Sequence, residues 1–194
     1  MIFNRAQFHA SIMDQTYYHG IPTYKNPLDA WLYQEIIHRT RPNVIIEIGN
    51  KFGGSALYLL HQMQLNGIAN ARVIGVDIDH SNLRAEDKNI LFIEGDASNE
   101  DVFDNVLSRV PATSHAMVIE DSAHTYDNTL KVLEMYTRLV RPGFYFVVED
   151  TIMPPAHQAV EKFLSINKDF ESDKTCERFG ITYNPDGYLR RKMK

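Results

Sequence analysis

An open, mostly parallel α/β sheet covered by helices on both faces is the fold this sequence predicts, and three observations predict it. Five short runs rich in β-branched residues recur, each closing on or near an acid; segments with helical spacing separate them; glycine or proline punctuates the joins. Parallel neighbours need crossover connections, and those crossovers are right-handed, so such alternation stacks helices on both sides of one sheet.

The elements follow in order. Asn26-Pro27 reads as an N-cap and an N1 proline opening a helix through Trp31, Tyr33 and Ile36, residues that at this spacing serve a core or an interface. Residues 42 to 50, Pro-Asn-Val-Ile-Ile-Glu-Ile-Gly-Asn, form the first buried strand. Further strands are expected at 72–77, 90–96, 116–121 and 144–150. Helices are expected from Ser55 to Gln64, in a short segment after His80, from Asn99 to Arg109, and from Tyr126 to Leu139 before the stop at Arg141-Pro142-Gly143. A last helix near Pro155 to Asn167 leads to Phe170 and to an extended stretch, Ile181 to Leu189, broken by a turn. Arg190 to Lys194 reads as a solvated tail, and Tyr17-Tyr18-His19 as a lid or as ordinary N-terminal packing. No linker or repeat divides the chain, so residues 1–194 are expected to form one domain, a helical segment at 1–41 and a sheet-bearing core at 42–194.

Composition narrows the function. With 20 Lys+Arg against 25 Asp+Glu, a net charge of -5, the chain has no broad basic surface for nucleic acid or anionic membrane. Cys176 is the single cysteine, which excludes an internal disulfide and a cysteine-based zinc site. The first residues carry no charged-then-apolar leader and no stretch suggests a membrane span, so a cytoplasmic protein is expected.

Ligands of open parallel sheets bind outside the carboxyl ends of the strands. Each predicted strand carries an acid there: Glu47, Asp77, Asp96, Asp121 and the pair Glu149-Asp150. Any one alone is an ordinary N-cap or turn residue; together they would repel one another unless a cation or a set of hydroxyl donors occupies the space. After the first strand, Gly49 permits a tight turn, and Gly53, Gly54 and Ser55 open the next helix, where free N–H groups and missing side chains would admit a ligand. Asp77 suits a ribose diol. NAD and S-adenosylmethionine (SAM) both contain one, but the acids repel the pyrophosphate of NAD and attract the sulfonium of SAM, with Lys51 only a partial offset. Asp121, Glu149 and Asp150 remain, a hard-oxygen set suited to Mg²⁺, with His124 beside them as a candidate base.

At these residues the sequence resembles the SAM-dependent O-methyltransferase family of the rhamnosyl O-methyltransferases and the so-called cephalosporin hydroxylase. The likeness rests on Gly20-Ile-Pro-Thr, Asn26-Pro-Leu-Asp-Ala-Trp-Leu-Tyr-Gln-Glu-Ile-Ile, Gly53-Gly-Ser-Ala-Leu-Tyr-Leu, Val148-Glu-Asp-Thr and Thr182-Tyr-Asn-Pro-Asp-Gly-Tyr-Leu-Arg. It implies the SAM-methyltransferase Rossmann-like sheet, seven strands with the last antiparallel, Phe170 to Leu189 supplying the final two. It implies that Glu47, Gly49 and Gly53 to Ser55 hold the methionine part of SAM, Asp77 the ribose and the neighbourhood of Asp96 the adenine, with Lys51, Asp79, Ala97 and Asp121 also expected among the cofactor-binding residues. Asp121, Glu149 and Asp150 would bind the divalent cation, and His124, in an Asp-x-x-His-x-Tyr segment, would act with Asp121 and Asp150 in catalysis. Glu120 stands where the family carries an apolar residue, and Ala123 where relatives often carry an acid. The expected partner is a small-molecule hydroxyl acceptor, and the expected assembly a homo-oligomer. An oxygenase would need two histidines and a carboxylate around iron, an arrangement not found near His124. A non-catalytic SAM-binding or assembly protein is the other alternative.

Overall fold

Asn26 does what its position predicts: its side chain accepts the Leu28 N–H at 3.1 Å, and Pro27 opens the first helix. The computed structural model describes residues 15–193. A hairpin of β1 (Tyr17–Tyr18) and β2 (Ile21–Pro22) precedes α1 (Pro27–Thr40). Then come β3 (Val44–Ile48), α2 (Gly54–Leu65), β4 (Arg72–Asp77), β5 (Ile90–Glu94), α3 (Glu100–Arg109), β6 (Ala116–Glu120), α4 (Tyr126–Tyr136), β7 (Tyr145–Val148), α5 (Pro154–Ile166), β8 (Phe170–Ser172) and β9 (Tyr188–Arg191).

The seven-stranded sheet has the order β5-β4-β3-β6-β7-β9-β8. All pairs from β5 to β7 are parallel, and β9 pairs antiparallel with both β7 and β8, so the last strand alone runs against the rest. Alternate residues of each strand feed two cores. Val44, Ile46 and Ile48 pack with Phe103, Val132 and Phe163 under α3, α4 and α5. Ile45 packs with Leu32, Ile36, Leu60 and Met63 under α1 and α2 on the other face. Among the described residues, no helix is long and apolar enough to cross a membrane.

Two expectations are corrected. No helix follows His80, because the backbone donors there are spent elsewhere. Asp79 and Asp87 accept the N–H groups of Ser81 and Asn89, each at 2.8 Å, and the N–H groups of Arg84 and Ala85 reach the Phe52 carbonyl. Nor is the C-terminal basic run all tail. Arg190 and Arg191 belong to β9, and Arg191 Nη1 donates to the Val140 carbonyl at 2.7 Å; Lys194 lies outside the described residues.

Strand order reverses between β3 and β6, and the crevice of a doubly wound sheet forms at that point. Gly49 follows β3 there with φ +87°, and a Cβ on it would lie 2.0 Å from the carbonyl oxygen of Asp121, which follows β6. Glycine therefore lets the two loops meet. We expect Gly49→Ala to cost about 3 kcal/mol of unfolding free energy, combining an unfavourable φ with a backbone clash, measured by urea denaturation; a loss under about 0.5 kcal/mol would contradict this account.

Candidate active site

A cavity of about 520 Å³ opens at the strand-order switch. Of the residues singled out from sequence, Gly49, Lys51, Ser55, Asp77, Asp79, Asp96, Ala97, Asp121, His124 and Asp150 line it. The loops after β3, β4, β6 and β7 carry most of them, while residues 22–24, between β2 and α1, form a further wall.

At its floor the acids converge on an ammonium that sequence reasoning missed. Lys25 Nζ lies 2.5 Å from Asp121 Oδ2, 2.5 Å from Glu149 Oε1 and 3.4 Å from Glu47 Oε1, and the side chain is only 6% exposed. Burial works against its charge, but Asp121, Glu149 and Glu47 outweigh burial and hold its pKa well above the ordinary lysine value. The acids show the reverse. Burial pushes Asp121 up to about 7, Lys25 pulling down and Asp150 adding to the rise. Burial and the neighbouring Asp121 charge also push Glu149 well above the ordinary range, against the pull of Lys25. Glu47 is fully buried, and neither carboxylate oxygen completes a hydrogen bond of ordinary geometry among the described residues, although Lys25 and Ser55 oppose the upward push of burial.

On the cavity side of Asp121 its other oxygen faces a second group. His124 Nε2 is 3.6 Å from Asp121 Oδ1 and 3.5 Å from Asp150 Oδ2, and one ligand atom from each of the three residues lies within 4.8 Å of the others. His124 and Asp150 both have positive φ, 51° and 53°, which turns their side chains in from the loops at a local strain cost. His124 Nδ1 is buried without a partner among the described residues, as is Nδ2 of Asn50, which lines the cavity.

Residues 10–192 match the family described as rhamnosyl O-methyltransferase/CmcI. The chain belongs to that family. It is an S-adenosylmethionine-dependent O-methyltransferase, with the fold and cofactor class that the motifs imply. A rhamnosyl O-methyltransferase of Mycobacterium leprae is 31% identical over 198 residues, covering 93% of this chain and 85% of that protein. One of Mycobacterium tuberculosis is 29% identical and covered to 80%. A solved structure of CmcI with Mg and SAM superposes with a TM-score of 0.76 at 25% identity, covering 93% of this chain and 78% of that one. An O-methyltransferase from Bacillus cereus in complex with SAH, 15% identical with a TM-score of 0.59, shares the fold.

The enzyme departs from the expected site in particular places. Glu149 lies behind Lys25 and not with Asp121, His124 and Asp150: its Oε1 accepts both Lys25 and the Tyr33 hydroxyl, the latter at 2.8 Å. The space left by the missing side chains of Gly53 and Gly54 is taken by the chain itself. A Cβ on Gly53 would meet Ala85 and Leu83 side chains, and one on Gly54 the Pro22 carbonyl at 2.7 Å, so these glycines seat the chain's own loops. Asp79 is spent on the Ser81 N–H and hydroxyl, and Asp96 accepts the Ser98 N–H at 2.8 Å. Asp77 accepts the Lys51 N–H at 2.7 Å and so sets the loop as well as facing the cavity. The unexpected Glu120 is buried, accepting from the Ser122 and Thr129 hydroxyls. Two further residues of the site have other roles in the sequence pattern, Tyr33 as a core or interface residue and Asn184 as part of the tail motif. Asn184 Oδ1 accepts the Asp150 N–H at 3.0 Å, and its Nδ2 donates to the Tyr33 hydroxyl at 3.3 Å.

The raised carboxyl groups set a pH dependence for the metal-free protein. The unfolded chain releases the Asp121 proton near pH 4 and the folded chain near pH 7, so between these values the folded state binds more protons. The stability this group contributes is therefore present at low pH and lost as pH rises through that window, by at most about 1.4 kcal/mol per pH unit. Urea unfolding in EDTA is expected to show lower stability at about pH 7.5 than at about pH 5.5, with Asp121→Asn reducing the difference and Glu149 accounting for the remainder; a wild type equally stable at both would contradict the assignment.

Proposed function

We propose that the enzyme methylates a hydroxyl of a sugar or small natural product, with a divalent cation, Mg²⁺, held by Asp121 and Asp150 and completed by Glu149. The observation that carries this reading is the acid hollow. Glu47, Asp121 and Glu149 face a single lysine and Asp150 adds its charge beside Asp121, three negative charges in excess (four carboxylates less one ammonium) when all are ionised. Such an excess suits the ammonium and sulfonium of SAM together with a hard cation. The Glu47 carboxylate, which completes no hydrogen bond of ordinary geometry among the described residues, fits the amino group of a bound methionine moiety. The named relatives, rhamnosyl O-methyltransferases and CmcI with Mg and SAM, support the acceptor class and the metal.

The reaction joins an acceptor oxygen to the SAM methyl carbon as the S–CH₃ bond breaks. The bonding pair goes to sulfur, S-adenosylhomocysteine departs, and the acceptor's proton is released. SAM supplies an activated methyl, and a divalent cation supplies positive charge that lowers the pKa of a nearby hydroxyl. The chain's part is alignment and proton handling. His124 Nε2, between Asp121 and Asp150, sits at the cavity wall where a proton can be received, and the two carboxylates stabilise the imidazolium that results. Asp77 and the loop it holds through Lys51 serve the ribose, while Asp96 and Ala97 border the adenine end.

A cytoplasmic homo-oligomer belongs to the same reading. The lone buried thiol of Cys176 needs no oxidising compartment, and Trp31, 58% exposed on α1, is the kind of side chain that subunit contacts bury.

Methyl transfer from labelled SAM to a panel of rhamnosides, other sugars and catechols tests the proposal. His124→Gln should lower kcat about 100-fold or more while leaving SAM affinity within about threefold, and Asp150→Asn or EDTA should each abolish most turnover. If activity with every accepted substrate survives both Asp150→Asn and EDTA, metal assistance is wrong; calorimetric heat with NAD and none with SAM would overturn the cofactor.

A further inference from the structure

Lys25 has no part in the chemistry above, yet it occupies the centre of the acid hollow. It ends the loop between β2 and α1, immediately before the Asn26 cap, so its backbone is fixed by the start of a helix while its side chain reaches under the cavity floor. Its ammonium touches two of the three residues assigned to the metal, Asp121 and Glu149, each at 2.5 Å. We propose that Lys25 is a resident cation: its ammonium fills the hollow of the metal-free protein, competes with the divalent ion for Asp121 and Glu149, and withdraws from them when the ion binds. This rests on the metal reading proposed above.

Three features carry the inference. Glu149 Oε1 already accepts two donors, Lys25 and the Tyr33 hydroxyl, which uses both lone pairs of that oxygen. Glu149 can give that oxygen to an ion beside Asp121 and Asp150 only after Lys25 lets go. Second, a univalent and a divalent cation drawn to the same buried carboxylates repel each other in a region screened poorly by water. The ammonium lies 2.5 Å from an oxygen of each of two residues assigned to the ion, so both cations would draw on the same carboxylates. Third, the residues leading into Lys25 are themselves a wall of the cavity. Pro22, Thr23 and Tyr24 line it, the Pro22 carbonyl lies over Gly54, and the Tyr24 ring packs edge-on against Phe52 at 5.4 Å with Lys51 Nζ 4.5 Å from its centroid. The lysine that contests the ion is thus continuous in sequence with a wall of the cavity, beside the cofactor loop.

The full chain, titrated with MgCl₂ alone by calorimetry, tests the proposal through binding and not through turnover. Lys25→Met is expected to bind Mg²⁺ at least tenfold more tightly than wild type, and Lys25→Arg, which keeps the charge, to stay within threefold of it. Lys25→Met should also melt below wild type in EDTA, because its carboxylates lose their counter-charge, and gain more from Mg²⁺ than wild type does. Mg²⁺ affinity in Lys25→Met equal to or below that of wild type would overturn the competition while leaving the metal reading intact. Mg²⁺ binding to neither protein would overturn both. Should Lys25→Met fail to fold, Lys25→Gln replaces it in the same titration: Mg²⁺ binding at least tenfold tighter than wild type is expected, and affinity equal to or below wild type would refute the competition.

Discussion

The structure depends on how negative charge is tolerated at the carboxyl ends of three neighbouring strands, β3, β6 and β7. Two like charges about 4 Å apart in a region of effective dielectric about 20 repel by about 4 kcal/mol, and Glu47, Asp121, Glu149 and Asp150 crowd one hollow. The chain meets this in two ways: it delivers one ammonium, Lys25, from outside the sheet, and it lets Asp121 and Glu149 hold protons at pH values where exposed acids would have lost them. Neither removes the excess. A fold that keeps such an excess in its core keeps it for a ligand, since apolar side chains of similar volume would be at least as stable there.

Holding the hollow in place falls to a buried polar network that joins the two ends of the described chain. Asp29, on α1, accepts the Asn26 amide at 3.0 Å, the Thr182 hydroxyl at 2.6 Å, the Tyr183 N–H at 2.9 Å and the Tyr188 hydroxyl at 2.9 Å. Asn184 joins this network to the Asp150 N–H and, through Tyr33, to Glu149. Burial raises the Asp29 pKa, and these four donors oppose the rise. The Asn26-Pro-Leu-Asp segment and the Tyr-Asn-Pro-Asp-Gly-Tyr tail, about 150 residues apart in sequence, thus form one support beneath the Glu149-Asp150 corner.

The sheet was legible because its strands are buried on both faces and carry continuous β-branched runs, and the acids were legible because topology alone sends strand ends to one edge. Loops and partners were not. The segment after His80 has helix-compatible residues, but Asp79 and Asp87 capture its backbone donors, a competition that depends on side-chain rotamers. Gly53 and Gly54 looked like openings for a ligand because a sequence cannot say which neighbour takes the space of a missing Cβ; here Leu83, Ala85 and Pro22 take it. Lys25 was overlooked for a related reason. It lies 22 residues before Glu47 and 124 before Glu149, and only folding shows that it meets them. The available signal was a question of balance: four acids at one edge require a cation, and Lys25, next to a helix cap, was one of the few basic residues upstream that could supply it.

The acids at the strand ends divide by what neutralises them. At the periphery, Asp77, Asp79 and Asp96 accept backbone N–H groups of Lys51, Ser81 and Ser98, so their charge is absorbed in shaping turns and they meet a ligand mainly as hydrogen-bond acceptors. At the centre, Glu47 takes no ordinary hydrogen bond, Asp121 splits its oxygens between Lys25 and His124, and Asp150 faces His124, so their charge remains to be answered by a cation. The strand-order switch lies between β3 and β6, which puts the unanswered acids in the middle of the crevice and the satisfied ones to one side. A ligand that is cationic at one end and a diol at the other is matched to that gradient, and a pyrophosphate is matched to neither half. The choice between SAM and a dinucleotide is thus made by where backbone amides reach the acids and where they do not.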